Sequence, residues 1–280
     1  ELVSAAGGKG HWAKVDHTDQ AAVAGLLEKI EAEHGKLNIL INDVWGGDSL
    51  TSWGPFIDHD LSNGLRLLEL GVSTHLITAR IMMPLLLKSE QSLLVEITDG
   101  VGDHYRGSLF YDLAKASTRR LAFAFHSEIS AKGHTAVAVT PGFLRSEAML
   151  DVFNVKEENW QDAVSADPHF QASETPRFVG RGIASLAADP ARSSFRGQVL
   201  SSGWLGERYG CTDLDGRQPN FPKYAIETLT AAIEALPDGE RSDAFKSAEE
   251  LTGRVGSAGA FVGVGGTELL DALRSGVPVR

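Results

Sequence analysis

Four short apolar runs, set through the first 200 positions and separated by helix-period segments, constrain this chain more than any other feature. They are residues 37–41 (LNILI), 93–98 (LLVEIT), 135–140 (TAVAVT) and 198–201 (QVLS). Apolar runs of this length without polar alternation read as strands buried on both faces, which requires helices above and below the sheet. The segments between them supply those helices. Val23, Leu26, Leu27 and Ile30 form one stripe of a helix over 21–33 that Gly35 stops. Residues 61–87 hold one or two long helices, with interruptions expected near Gly71 and Pro84. A further helix carries Tyr111 and runs through Leu121, Phe125 and Ile129 to Gly133, and another covers 177–188. Strands alternating with helices predict an α/β chain built on a parallel sheet.

Around this frame, residues 11–15 (HWAKV) read as a short strand, and 16–19 as a turn with a helix cap. Residues 143–176 form a long excursion carrying Phe143, Met149, Phe153, Trp160 and Phe170. After Tyr224 the character shifts to helical segments at 225–236, 243–251 and 267–274 around a glycine-rich stretch at 253–266. Two regions are therefore expected: a catalytic domain over 1–223 and a helical, glycine-rich extension over 224–280. The glycines after Thr252 mimic a dinucleotide loop in spacing, but a polar helical segment precedes them where a buried strand is required, so they read as a linker.

Charge and composition remove whole classes of function. A net charge of -11 leaves no basic footprint for nucleic acid and disfavours anionic membranes. The greasiest stretch, 76–87, contains Arg80 and Pro84 and falls short of a membrane span. One cysteine, Cys211, excludes an intrachain disulfide and suits a reducing compartment, so a cytoplasmic location is expected. Residues 1–10 carry neither the charged nor the apolar region of a secretory signal. The nine histidines, among them His11, His17, His104 and His126, show no ligand spacing, and no metal is expected.

Tyr111 and Lys115 stand four apart on one helix and so face the same way, with side-chain bases about 5–6 Å apart. A free tyrosine titrates near 10. A lysine held roughly 8 Å away at an effective dielectric of about 20 favours the phenolate by about 2 kcal/mol, which would make the phenol usable for moving a proton at neutral pH. Alone the pair also fits a solvated helix. Its context is a buried strand, a loop, the Tyr111 helix, a second buried strand and Pro141-Gly142, in that order.

That ordered set resembles the classical short-chain dehydrogenases/reductases over about residues 1–209. The resemblance implies a Rossmann-type doubly wound parallel sheet and an NAD(P)-dependent oxidoreductase interconverting an alcohol and a carbonyl on a small organic substrate. NAD and NADP are not distinguished. It implies that Tyr111 is the acid/base and that Lys115 binds the nicotinamide ribose and lowers the tyrosine pKa. Thr98, 13 residues before Tyr111, stands where a serine usually holds the substrate oxygen, and a β-branched strand end is its plain alternative. Asn42 matches the first asparagine of the family's Asn-Asn-Ala-Gly loop, with Asp43 replacing the second. Asp16 matches the residue that hydrogen-bonds the adenine amino group, or simply caps a turn. Pro141, Gly142 and Ser146 match the loop that holds the nicotinamide carboxamide.

The chain departs from the pattern in two places. Gly71 stands where the family has a catalytic asparagine, so a proton relay would run through Thr74, His75 or the lysine. The first strand, its glycine-rich phosphate loop and the second strand of the family pattern have no counterpart before residue 11, so the sheet is expected to lack its first two strands. The resemblance further implies a homodimer or homotetramer built on the helices at 61–87 and 111–133, acting on a small molecule without nucleic acid or membrane partners. A second reading is a catalytically silent relative serving as a binding or oligomerisation module. An α/β-hydrolase is unsupported, because no G-x-S-x-G elbow occurs.

Overall fold

In the computed structural model, residues 2–101 and 105–234 are described. After a single turn, α1 (Leu2–Ala5), an irregular segment leads to α2 (Gln20–His34). Asp19 opens α2 by accepting from the backbone N–H groups of Ala21 and Ala22 at 2.8 and 3.3 Å, and Gly35, in the left-handed region at φ 71°, closes it. Then come β1 (Ile39–Asn42), α3 (Leu61–Leu68), a π-helical turn over Glu69–Ser73, and α4 (Thr74–Leu86). Next follow β2 (Leu93–Ile97), α5 (Leu109–Ile129), β3 (Thr135–Thr140), α6 (Glu147–Val152) and α7 (Pro176–Ala188). The described part ends with β4 (Val199–Ser201), α8 (Ser202–Tyr209) and α9 (Phe221–Glu234).

The four described strands pair in parallel in the order β1-β2-β3-β4, with Ile39 opposite Leu93, Leu93 opposite Thr135 and Ala138 opposite Val199. Side-chain alternation along the central strands decides which layer each residue serves. Leu94 and Ala136 pack on Ala79 and Leu86 of α4 and Ile129 of α5. Leu93, Val95, Val137, Val139 and Leu200 pack on Ile183 and Leu186 of α7 and Leu205 of α8. Helices thus cover both faces, each buried leucine or valine contributing about 1.5–3 kcal/mol. No described helix is long and apolar enough to cross a membrane.

Three expectations are corrected. Residues 11–15 form no strand: they have no ladder partner among the described residues, and Trp12 is 86% exposed. His11 instead lies beside α2, its Nδ1 3.6 Å from Glu33 Oε2. The 37–41 run is not buried on both faces. Leu37 and Leu40 pack on the α4 side, whereas Ile39 and Ile41, which point the other way at the sheet edge, are 40% and 47% exposed. The boundary at 223/224 falls inside a helix, since α9 begins at Phe221 and its Ala225 is fully buried. The segments at 243–251, 253–266 and 267–274, and His104, lie outside the described residues.

The 143–176 excursion builds a core of its own. Trp160, Ala163 and Phe170 are buried among Phe143, Met149 and Phe153, with the Phe143 and Phe170 rings 5.0 Å apart edge to face.

Candidate active site

The C-terminal ends of β1, β2 and β3 open into one cleft of about 430 Å³, where ligands bind in open α/β sheets. Tyr111 and Lys115 reach it from the first turns of α5. The loops after β2 and β3 bring Asp99 on one side and Pro141, Gly142 and Ser146 on the other, while Asp43, Trp45 and Asp48 come from the loop after β1. Of the residues marked out in the sequence, Tyr111, Lys115, Thr98, Pro141, Gly142 and Ser146 line this space.

Asp16 and Asn42 do not line it. Asp16 is exposed and holds Thr18 through its backbone N–H at 2.9 Å and its hydroxyl at 2.7 Å. Those bonds lower its carboxyl pKa. Asn42 is buried at the end of β1 and donates to Glu96 Oε1 at 2.7 Å, with its Oδ1 unpartnered among the described residues. Neither Thr74 nor His75 enters the cleft. The Thr74 hydroxyl donates to the Leu70 carbonyl at 2.5 Å, and His75 bridges Glu96 and the Val44 carbonyl.

At the wall of the cleft, the Thr98 hydroxyl is engaged on α5. Its hydroxyl donates to the Lys115 carbonyl at 2.8 Å and accepts from Thr118 at 2.8 Å, tying the strand end to α5. The group facing Tyr111 is Asp99, whose Oδ2 accepts the phenol hydrogen at 2.7 Å and also pairs with Arg106 Nη1. The signal was present in the strand period: Thr98 shares parity with Leu94 and Glu96, which face α4 and α5, so the next residue is the one released toward the cleft. Arg106 and Trp45 carried no comparable signal.

Electrostatics differ from the pairwise estimate. The Tyr111 phenol is pushed well above its ordinary pKa, first by burial and then by the Asp99 carboxylate and its hydrogen bond. Arg106 is the main opposing charge; Lys115, itself lowered by burial, has its Nζ 5.5 Å from the Tyr111 ring centre and 3.8 Å over the face of Trp45. Burial also raises the Asp43 carboxyl, opposed by Lys115.

Trp45 explains the glycine at position 71. A Cβ there would lie 2.7 Å from Trp45 Cζ3, so the ring fills the space that a larger side chain on the π-helical turn would need. Trp45 also stands edge-on to Tyr111 at 5.6 Å, Trp53 lies at 5.4 Å from it, and Trp45 Nε1 donates to Asp48 at 2.8 Å.

The chain is similar to known proteins. A family model described as short chain dehydrogenase matches residues 1–157. The chain is 30% identical over 212 residues to human dehydrogenase/reductase SDR family member 1, a match covering 72% of this chain and 66% of that protein. It thus spans slightly under two thirds of that relative's length. It is 29% identical over 194 residues to the 3-oxoacyl-[acyl-carrier-protein] reductase FabG of Escherichia coli, covering 66% of this chain and 72% of that protein. Among solved structures, 7α-hydroxysteroid dehydrogenase complexed with NADH and 7-oxoglycochenodeoxycholic acid shares the fold. The TM-score is 0.59 at 20% identity, over 78% of this chain and 79% of that one. With more than half of its length matched by the family model, the chain belongs to the short chain dehydrogenase family of oxidoreductases.

Proposed function

We propose that this chain is a nicotinamide-dinucleotide-dependent oxidoreductase that interconverts an alcohol and a carbonyl on a small organic substrate, with Tyr111 moving the proton. The observation that carries the reading is the meeting of Tyr111, Lys115, Pro141, Gly142 and Ser146 around one cleft at the strand ends. The residues present fit the nicotinamide end of such a cofactor. Lys115 makes no hydrogen bond among the described residues, leaving its ammonium for ribose hydroxyls, and the Pro141–Ser146 wall offers backbone groups and a hydroxyl for the carboxamide. Asn42 supports that wall's opposite loop from within the sheet, and Asp16 is assigned to the adenine end by resemblance. NAD and NADP remain equivalent choices.

When bound, a reduced nicotinamide supplies a hydride to carbon. Tyr111 supplies the proton to oxygen. A phenol held above its ordinary pKa stays protonated at neutral pH, which suits donation to a carbonyl, and thus reduction, better than withdrawal from an alcohol. Thr98 acts by fixing α5 to the strand end, so its contribution is positional. A cytoplasmic location is supported by the lone Cys211. A homodimer or homotetramer through the 61–87 and 111–133 helices is supported by exposed Leu61, Leu65, Leu76, Leu113 and Phe123.

The catalytically silent alternative is favoured by one observation, the Tyr111 hydroxyl engaged by Asp99 rather than free. Titration with NADH and NADPH followed by tryptophan fluorescence, then turnover of a ketone panel, separates the readings. Saturable dinucleotide binding with turnover that Tyr111→Phe abolishes, at unchanged dinucleotide affinity, is the expected result. Full activity in Tyr111→Phe removes the tyrosine from the chemistry, and no dinucleotide binding leaves the silent reading.

A further inference from the structure

The cleft carries an unbalanced charge. Among the described residues its charged lining comprises the carboxyls of Asp43, Asp48 and Asp99 and the ammonium of Lys115, with Arg106 pairing Asp99 from beneath. Aromatic rings stand among them, Trp45 and Trp53 flanking Tyr111 at 5.6 and 5.4 Å, and Trp53 is 62% exposed. Carboxylates set beside indole faces attract organic cations, and more so where water is partly excluded.

Asp99 adds a geometric requirement. Its Oδ2 holds the hydroxyl that must reach the substrate oxygen, and a bare carbonyl, which has no hydrogen to donate, cannot satisfy that carboxylate in exchange. An ammonium can. Arg106 does not exhaust Asp99, since both hydrogen bonds run to Oδ2 and a carboxylate offers about four lone-pair sites. The guanidinium lies beneath, its side chain 2% exposed against 32% for Asp99, in a space open only because Gly100 has no side chain. Asp99 is thus anchored from below and presented to the cleft.

Resting on the oxidoreductase reading, we propose that the substrate carries a protonated amine close to its reacting carbon, as in an amino ketone and its amino alcohol. The ammonium pairs with Asp99 beside the Trp53 and Trp45 rings. Asp99 then releases the Tyr111 hydroxyl to the substrate oxygen, so the cation both selects the substrate and frees the proton donor. The hydride and proton balance of the reaction is unchanged. A neutral carbonyl compound finds the phenol occupied, and an anionic one meets three carboxyls.

The test is equilibrium binding without cofactor, read by tryptophan fluorescence, with leucinol and with isohexanol, the alcohol of the same skeleton lacking the amine. Leucinol is expected to bind at least about tenfold more tightly at neutral pH and low salt, a preference that shrinks as salt rises. Asp99→Asn should bring the two affinities together. Equal affinities in the unsubstituted protein overturn the inference, a result that needs no variant to fold. A preference that survives in a folded Asp99→Asn overturns the placement at Asp99. Carbonyl reduction without amine preference overturns this inference alone. Amine preference without any dinucleotide-dependent reduction supports the cation site and overturns the oxidoreductase reading.

Discussion

The two walls of the cleft each rest on a fully buried carboxyl group, and the two groups are held in opposite ways. Beneath the loop after β1, Glu96 has a partner on each oxygen: Asn42 Nδ2 donates to Oε1 at 2.7 Å, and His75 Nδ1 lies 2.5 Å from Oε2. His75 extends the chain through Nε2, which donates to the Val44 carbonyl at 2.9 Å. Beneath the Pro141-Gly142 turn, Glu174 receives Ser202 Oγ at 2.7 Å on Oε2, while Oε1 has no partner among the described residues. Burial pushes the Glu174 pKa up to about 8, against the opposing pull of the Ser202 hydrogen bond, so this side chain stays a neutral acid at neutral pH. Equal burial with unequal partners gives one wall a continuous polar strut and the other a carboxyl that cannot ionise cheaply.

Removing the strut should have the larger effect. His75→Ala strips Glu96 Oε2 of its partner and unhooks the Val44 carbonyl, and breaking such a buried pair from one side costs about 3–5 kcal/mol. Denaturant unfolding measures it; a loss below about 1 kcal/mol would show that the strut does not carry the first wall.

On the second wall the expected effect is smaller and confined to one end of the pH scale. The folded pKa of Glu174 lies above its ordinary value of 4.5, so the unfolded chain releases this proton first as pH rises, and stability falls between about pH 5 and 8. Glu174→Gln keeps the hydrogen-bonding shape without the titration. Its advantage over the unsubstituted protein should grow by roughly 3–4 kcal/mol between pH 5 and pH 8. Thermal unfolding across that range decides; a gap that does not widen with pH would mean Glu174 ionises at its ordinary pKa in the folded state.

The walls also differ in how far the sequence disclosed them. The central strands and the turn after β3 were legible because they depend on local pattern, an apolar run with a Pro-Gly ending; that Ser146 caps the next helix, accepting from the Met149 N–H at 3.2 Å, is added by the structure. The first wall depends on residues distant in sequence. Glu96 is a lone charge in an apolar strand, and its partners Asn42 and His75 lie 54 and 21 positions away. The partners of Thr98 escaped the sequence for a local reason, since counting back from Tyr111 does not show where its hydroxyl points, which is to Lys115 and Thr118 on α5. The 11–15 segment failed for a non-local one, because its composition suits a strand but strand formation needs a neighbour to pair with.

The smallest effect belongs to a contact within the first wall. Gly71 permits the Trp45 ring to lie against the π-helical turn and over Lys115, with 2.7 Å between the ring and the position a Cβ would take. Gly71→Asn should therefore cost about 1–3 kcal/mol by overpacking, despite relieving a glycine in a helical turn. Trp45→Ala in the same chain removes the obstacle and should recover most of that loss, giving a coupling of about 1 kcal/mol or more in a double-mutant cycle. Additive losses would mean that the two residues do not share the space. The single Trp45→Ala variant sharpens the electrostatics as well: without the indole face beneath it, Lys115 is freer to approach Tyr111. The phenol should then titrate at lower pH than in the unsubstituted protein, which phenolate absorbance measures directly.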